Sequence, residues 1–382
     1  MIRLAIALLQ ASSLLERADM AFRQGDLEAA KTLALQTVAA DPGAVHGHMI
    51  LGVIAAQANQ WDVSTARFQT VIRLDPANPI GYFYLGQAKL YQHQWDAAIQ
   101  FFNRAAERKY PDRDRLTVEL AHAHSEAGRP QKALELLAAV APPSDSRLGA
   151  QYYGVSAFAL GHLNQWTPAI EACRQSIALD GSNPLYWDFL IDALIKTSQA
   201  PQALAEAIRA QKLFPDRGDT QYLFAVASHH VVESPLSGLA LRNLREAEPL
   251  SPRVFIAEGL LLRKQGKDEE ATAAFTKAAK RGVKDAYLLL GIVHRENGDF
   301  TAAERDYREA ERLNPSSGQV ALELGKLFLS RGELANAKVR LEKAVLLLPD
   351  VKPVHYQLGL LYQQMGLKEE AAKHLRWGQS QP

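Results

Sequence analysis

Residues 227–236 read ASHHVVESPL, and His229, His230 and Glu233 fall within five positions of one another. Imidazole and carboxylate are zinc-ligand types, and an i, i+4 pair such as His229 and Glu233 would share one face of a continuous helix. No H-E-x-x-H string accompanies them, so the zinc-protease arrangement is missing. The nearest approach to a phosphate loop, GLLLRKQGKD, spaces its glycines wrongly and puts Asp268 where a serine or threonine would meet magnesium. GVSAF, residues 154–158, fails as a nucleophile elbow because Phe158 replaces the second glycine. Cys173 is the single cysteine, which excludes an internal disulfide framework and any multi-cysteine zinc site. No catalytic residue, metal or cofactor is assigned, and a metal-dependent enzyme survives as an alternative on the histidine cluster alone.

Bulk charge points to no polyanion. The 382 residues carry 43 basic and 42 acidic side chains, for a net charge of +1. Lys277, Lys280, Arg281 and Lys284 form a basic cluster without interleaved aromatics, which reads as a solvated face, so no nucleic-acid partner is expected. No segment has the run of apolar residues that an integral membrane span needs. Residues 1–10 of MIRLAIALLQASS form either a capping helix or a short signal-like segment, with Arg3 ahead of an apolar run and small residues behind it. The first reading places the protein in the cytoplasm, and the second makes it periplasmic or secreted.

The elements that position these residues emerge from self-similarity. GHMILGVIAAQANQWDVSTARFQTVIRLDPAN (47–78) aligns with GYFYLGQAKLYQHQWDAAIQFFNRAAERKYPD (81–112) at an offset of 34, matching Leu51-Gly52 to Leu85-Gly86, Trp61 to Trp95 and Phe68 to Phe102. Extended outward, the offset defines eleven repeats starting at residues 11, 45, 79, 114, 150, 184, 218, 252, 284, 318 and 352, so 11–378 form one array with a tail at 379–382. Column 20 of each repeat is always small, from Ala30 and Ser64 to Ala371, and column 8 is small in every repeat except for Ile191. Column 24 is usually bulky and apolar, which predicts a wedge into the helix of the following repeat. Gly25, Gly128, Gly266, Gly298, Gly332 and Gly366 share column 15, where a first helix must stop and turn. Pro42, Pro76, Pro215, Pro249, Pro315 and Pro349 share column 32, ending the second. Each repeat is thus a helix-turn-helix hairpin that needs its neighbours to complete a core. Cys173 and Trp187 fall at core positions, as do Trp61, Trp95 and Trp166 at column 17. VAPPSDSRLGAQ (140–151) lengthens one link and reads as a surface loop or a flexing point.

This pattern, with Leu-Gly at columns 7 and 8, Ala at 20, an aromatic at 24 and Pro at 32, resembles the tetratricopeptide repeat family. The resemblance implies an all-α, right-handed superhelical solenoid with a concave groove lined by columns 2, 5, 9, 12 and 13 of the first helices. Those columns supply an apolar wall in repeats 1 to 3 (Leu15, Phe22, Met49, Val53, Ile80, Phe83, Leu90 and Tyr91). In repeats 6 to 8 they supply a polar wall that includes Asp188, Asp192, Lys196, Asp219, Tyr222, His229, His230, Arg263 and Lys264. Column 5 holds no lysine, so the clamp that some family members use on a partner's C-terminal carboxylate is missing. The expectation is a non-enzymatic scaffold that binds a peptide or helical segment of another protein in this groove. An exported envelope protein assisting polysaccharide or outer-membrane assembly is the alternative. His229 and His230 would then sit at the groove edge, tuning binding near pH 6.5. The thin C-terminal cap leaves the array open to end-to-end self-association.

Overall fold

The computed structural model describes residues 2–231 and 235–379, with side chains described from residue 13 to residue 378 outside that gap. Residue 1, residues 232–234 and residues 380–382 lie outside the described residues, and with them most of the expected C-terminal tail. Among the described residues every regular element is an α-helix.

The first hairpins pair α1 (Ile2–Arg23) with α2 (Leu27–Ala40), α3 (Val45–Gln57) with α4 (Trp61–Leu74), and α5 (Pro79–Tyr91) with α6 (Trp95–Glu107). Next come α7 (Arg113–Glu126) with α8 (Pro130–Ala138), α9 (Ser146–His162) with α10 (Trp166–Leu179), and α11 (Pro184–Lys196) with α12 (Ala200–Leu213). The remainder are α13 (Gly218–His230) with α14 (Ser237–Ala247), α15 (Arg253–Lys264) with α16 (Asp268–Lys280), α17 (Asp285–Glu296) with α18 (Phe300–Leu313), α19 (Gly318–Ser330) with α20 (Leu334–Leu347), and α21 (Lys352–Gln364) with α22 (Lys368–Gln379). The chain forms two compact bodies, residues 1–155 and 156–382, divided within α9; α1 to α8 pack in chain order in the first and α10 to α22 in the second, each as a solenoid. Residues 2–10, expected to be a capping helix or a signal-like segment, are helical and continuous with the first helix of repeat 1.

Local chemistry explains the helix ends. Asp26, Asn78, Asp112, Asn183, Asp299 and Ser317 each accept a backbone N–H of the first turn that follows. At column 15 the backbone is left-handed in every described repeat: the six glycines have φ between 72 and 80°, and Asn59, His93, Asn164 and Ser198 adopt φ of 56 to 62° without being glycine. The long link predicted over 140–151 is shorter than expected, because Asp145 accepts the Leu148 amide at 2.7 Å and α9 begins at Ser146.

The packing of column 24 adds to one expectation. Its side chain wedges first against column 8 of its own hairpin, and Phe68 also reaches the next one, stacking on Tyr84 with ring centroids 5.0 Å apart. A Cβ added to Gly52, Gly86, Gly259 or Gly291 would lie 2.8, 2.7, 2.4 and 2.4 Å from Phe68, Phe102, Phe275 and Tyr307 respectively. The volumes are traded in most of these pairs, although glycine also meets leucine at Gly325 and Leu341 and at Gly359 and Leu375. Gly faces Phe or Tyr in those four repeats, Ala121 and Ala225 share repeats with Leu137 and Leu241, and Ala157 shares one with Cys173. Ile191, the exception at column 8, is matched by Ala207 at column 24, and both are fully buried. Close packing at interior density forces this compensation, since an extra methylene on one side must come off the other.

Candidate interaction surface

The histidine cluster that suggested metal chemistry ends a helix. His229 and His230 are the last two residues of α13, Val231 turns to extended backbone, and Glu233 lies outside the described residues. Among the described residues no group of three or more His, Cys, Asp or Glu side chains is gathered to hold a metal. Instead Lys264 reaches back from the following hairpin and donates to the carbonyls of Ser228 and Val231 at 2.9 and 2.7 Å, capping the C-terminus of α13 with a positive charge. Burial, followed by the charges of His230, Arg263 and Lys264, pushes the His229 imidazole down to about 4. Burial and Arg263 also lower His230. His229 is therefore neutral near pH 6.5, so the expected tuning of binding there is corrected for that residue: desolvation disfavours the charged form.

In the N-terminal body the predicted apolar wall divides. Leu15 and Phe22 are half-buried against the core of repeats 1 and 2, Met49 and Val53 against Phe68 and Leu85, and Ile80 against the cluster around Phe83. Tyr91 is 49% exposed and stacks on Trp61 with ring centroids 4.4 Å apart. Phe83 and Leu90, however, are 0% and 4% exposed and line no surface. Tyr110, at column 32 where six repeats carry proline, folds in to stack on Phe83 at 4.3 Å, and the Arg115 guanidinium lies over the same ring at 5.2 Å. The assignment of Phe83 and Leu90 to the groove is thus corrected: neighbouring side chains fill the space a partner would need.

The polar wall of the second body is largely self-satisfied. Asp188 accepts from Arg217 at 2.9 and 3.1 Å and from Thr220 at 3.0 Å. Arg217 also pairs with Asp219, which pairs with Arg253, which holds Glu248 through two contacts of 2.6 and 2.8 Å. Burial raises the Asp188 carboxyl above its ordinary range against the pull of Thr220 and Arg217. Tyr222 lies under the Arg253 guanidinium at 5.2 Å, and burial raises its hydroxyl. Asp192 pairs with Lys196, and Arg263 with Glu296. Sequence columns found the wall but missed its ties, Arg217 and Glu248. These sit in the links between helices, and only the 29-residue separation of Arg217 from Asp188, one repeat less five, hints at the contact.

Elsewhere the side chains singled out for chemistry serve packing. Cys173 is fully buried, donates through Sγ to the Tyr186 carbonyl at 3.0 Å, and is pushed up to about 12 by burial. Trp166 and Trp187 are core residues, and Trp61 and Trp95 are partly buried. Lys277 and Arg281 of the basic cluster are seated over the Phe255 ring at 5.9 and 4.7 Å. Among the described residues no helix is long and apolar enough to cross a membrane.

Three family models, each described as a tetratricopeptide repeat, match residues 15–79, 55–114 and 288–346, residues 89–150, and residues 353–376. Curated relatives include anaphase-promoting complex subunit 3 of Schizosaccharomyces pombe, 24% identical over 221 residues that cover 56% of this chain and 33% of that protein. BBSome complex member BBS4 of Bos taurus is 33% identical over 29% of this chain and 21% of its own length. A TPR repeat-containing protein of Pseudomonas aeruginosa is 33% identical over 35% of this chain and 55% of its own. The chain thus spans between about a fifth and just over half of these relatives. Among solved structures, that titled "Crystal structure of APC/C hetero-tetramer Cut9-Hcn1" superposes with a TM-score of 0.52 at 13% identity, covering 97% of this chain and 86% of that one, a likeness of fold.

Proposed function

Because this chain belongs to the tetratricopeptide repeat family, we propose that it is a non-enzymatic protein–protein interaction scaffold whose first helices grip an extended or helical segment of another protein. The observation that carries this reading is the half-buried wall of Leu15, Phe22, Met49, Val53 and Ile80, ending at half-exposed Tyr91. Each of these side chains spends part of its apolar surface on the core and leaves part uncovered, and burying that remainder would supply affinity. The paired charges of the second body are already satisfied and would add little affinity for a ligand there. Two relatives named as members of multi-subunit complexes support the same class of role.

Site-specific photo-crosslinking in the native host tests the proposal. A benzophenone side chain at Met49 or Ile80 is expected to capture a discrete protein partner, while one at Val63, exposed on the second helix α4, is not. Equal yields from the two faces would remove the wall as the binding surface.

A further inference from the structure

Glu119, on the first helix of repeat 4, is 3% exposed. Its Oε1 accepts from the Gln87 side chain of α5 at 2.7 Å, and its Oε2 is buried with no hydrogen-bond partner. Arg115, four residues earlier and in reach by helical spacing, lies over the Phe83 ring instead. His122, one turn later, leaves its own Nδ1 buried and unpartnered, with its Nε2 4.0 Å from Glu126. Glu119 is also within Coulombic reach of the Tyr91 hydroxyl at the exposed end of the apolar wall.

The repeat supplies its own comparison. Column 6, which holds Glu119, holds Glu323 in repeat 10, also 3% exposed. There Lys326, at column 9, donates to Oε1 at 2.7 Å, and Arg295, at column 12 of the preceding repeat, stands at an ion-pair distance of 3.5 Å from Oε2, which like that of Glu119 has no hydrogen-bond partner. The corresponding positions around Glu119 are His122 and Leu90. The same buried carboxyl therefore has two cations at ion-pair distance in one repeat and none in the other, although Arg115 and Arg147 lie within Coulombic reach of the neighbouring Tyr91. A buried acidic oxygen without a donor is costly, and a cation brought by a ligand would offset that cost where the chain supplies none.

Building on the scaffold reading above, we infer that the seam between α5 and α7 beside Tyr91, where the partly exposed Gln87 and His122 flank the buried carboxyl, receives a lysine or arginine side chain of the bound segment once the Gln87 contact yields to it. That side chain takes, on Glu119, the place that Arg295 and Lys326 take on Glu323. The partner is then an apolar segment interrupted by one basic residue, with the apolar side chains on the wall and the cation in the seam.

Two measurements on the full chain test this. First, His122→Lys supplies the cation in cis and should raise the thermal midpoint, whereas the same change in a Glu119→Gln background should not. A midpoint unchanged or lowered by His122→Lys alone overturns the inference. Second, a random dodecapeptide phage library panned on the purified chain should enrich sequences with one lysine or arginine at fixed register. A synthetic representative should bind Glu119→Gln or His122→Lys at least tenfold more weakly, as should the peptide with norleucine at its basic position. Enriched peptides that lack a basic residue, or that bind Glu119→Gln unchanged, overturn this inference while leaving the groove reading intact if Tyr91→Ala weakens them. Failure to enrich any sequence sinks both.

Discussion

Replacing Gly86 by Ala places a methyl group 2.7 Å from two carbons of the Phe102 ring, which is fully buried and has no room to retreat. Overpacking of this kind costs about 1–3 kcal/mol. Alanine recovers up to about 1 kcal/mol of helix propensity over glycine, so at the upper end of the overpacking cost, about 2–3 kcal/mol, where a 2.7 Å approach to ring carbons belongs, a net loss of about 1–2 kcal/mol is expected, read as a lower urea midpoint followed by circular dichroism. Gly238→Ala is the control: nothing lies within 4 Å of the new carbon, and the change should be neutral or stabilising. The second half of the experiment uses the protein's own solution. Phe102→Leu in the Gly86→Ala background recreates the Ala and Leu combination of repeats 4 and 7. The double variant should be less destabilised than the sum of the singles by about 1 kcal/mol or more, as expected for side chains in contact. Additive losses, or a Gly86→Ala protein as stable as the wild type, would refute volume trading as the rule that pairs columns 8 and 24.

Other outcomes follow from the same geometry. His93→Gly and Ser198→Gly remove a left-handed backbone cost of about 1–2 kcal/mol each, partly offset by the greater freedom of glycine in the unfolded chain, so each should raise the thermal midpoint. His229 is held neutral with its midpoint pushed down to about 4, whereas the unfolded chain takes up that proton near about 6.5. Its contribution to stability is fully present above the unfolded value and is lost as pH falls from there through about 4. Urea midpoints between those limits should therefore fall less steeply in His229→Gln than in the wild type. Phe83→Ala should cost about 3–5 kcal/mol of stability through the cavity it leaves, while Tyr91→Ala should barely shift the urea midpoint and should weaken partner capture.

The array was legible because its signals are steric and recur. A small residue at column 20 and a turn at column 15 are demanded by every hairpin, so eleven copies average out local noise. Even so, four turns use Asn, His or Ser where glycine would be the cheaper residue, and only the left-handed backbone at Asn59, His93, Asn164 and Ser198 unites them with the glycines. The column 24 wedge was read only in part, because periodicity fixes which positions are apolar without saying that the same side chain also meets column 8 of its own hairpin. The surface was less legible. Column rules placed Phe83 at the groove, but they cannot see Tyr110 covering it, since that depends on a side chain in a link 27 residues away. Glu119 was passed over because column 6 is not a groove column, and its vacant oxygen is a property of neighbours in three dimensions. Burial likewise decides the state of His229, and composition carries no measure of it.

Volume trading inside each hairpin bears on how such a chain is copied. Because the bulky residue and the gap that receives it lie on the same 34-residue cassette, duplicating or losing one cassette carries both halves of the fit together and asks no compensating change of the neighbours' locks. A cut that falls within a cassette separates them, pairing for instance an isoleucine with a phenylalanine. The lineage of this chain is therefore freer to vary the number of its repeats than to recombine their halves.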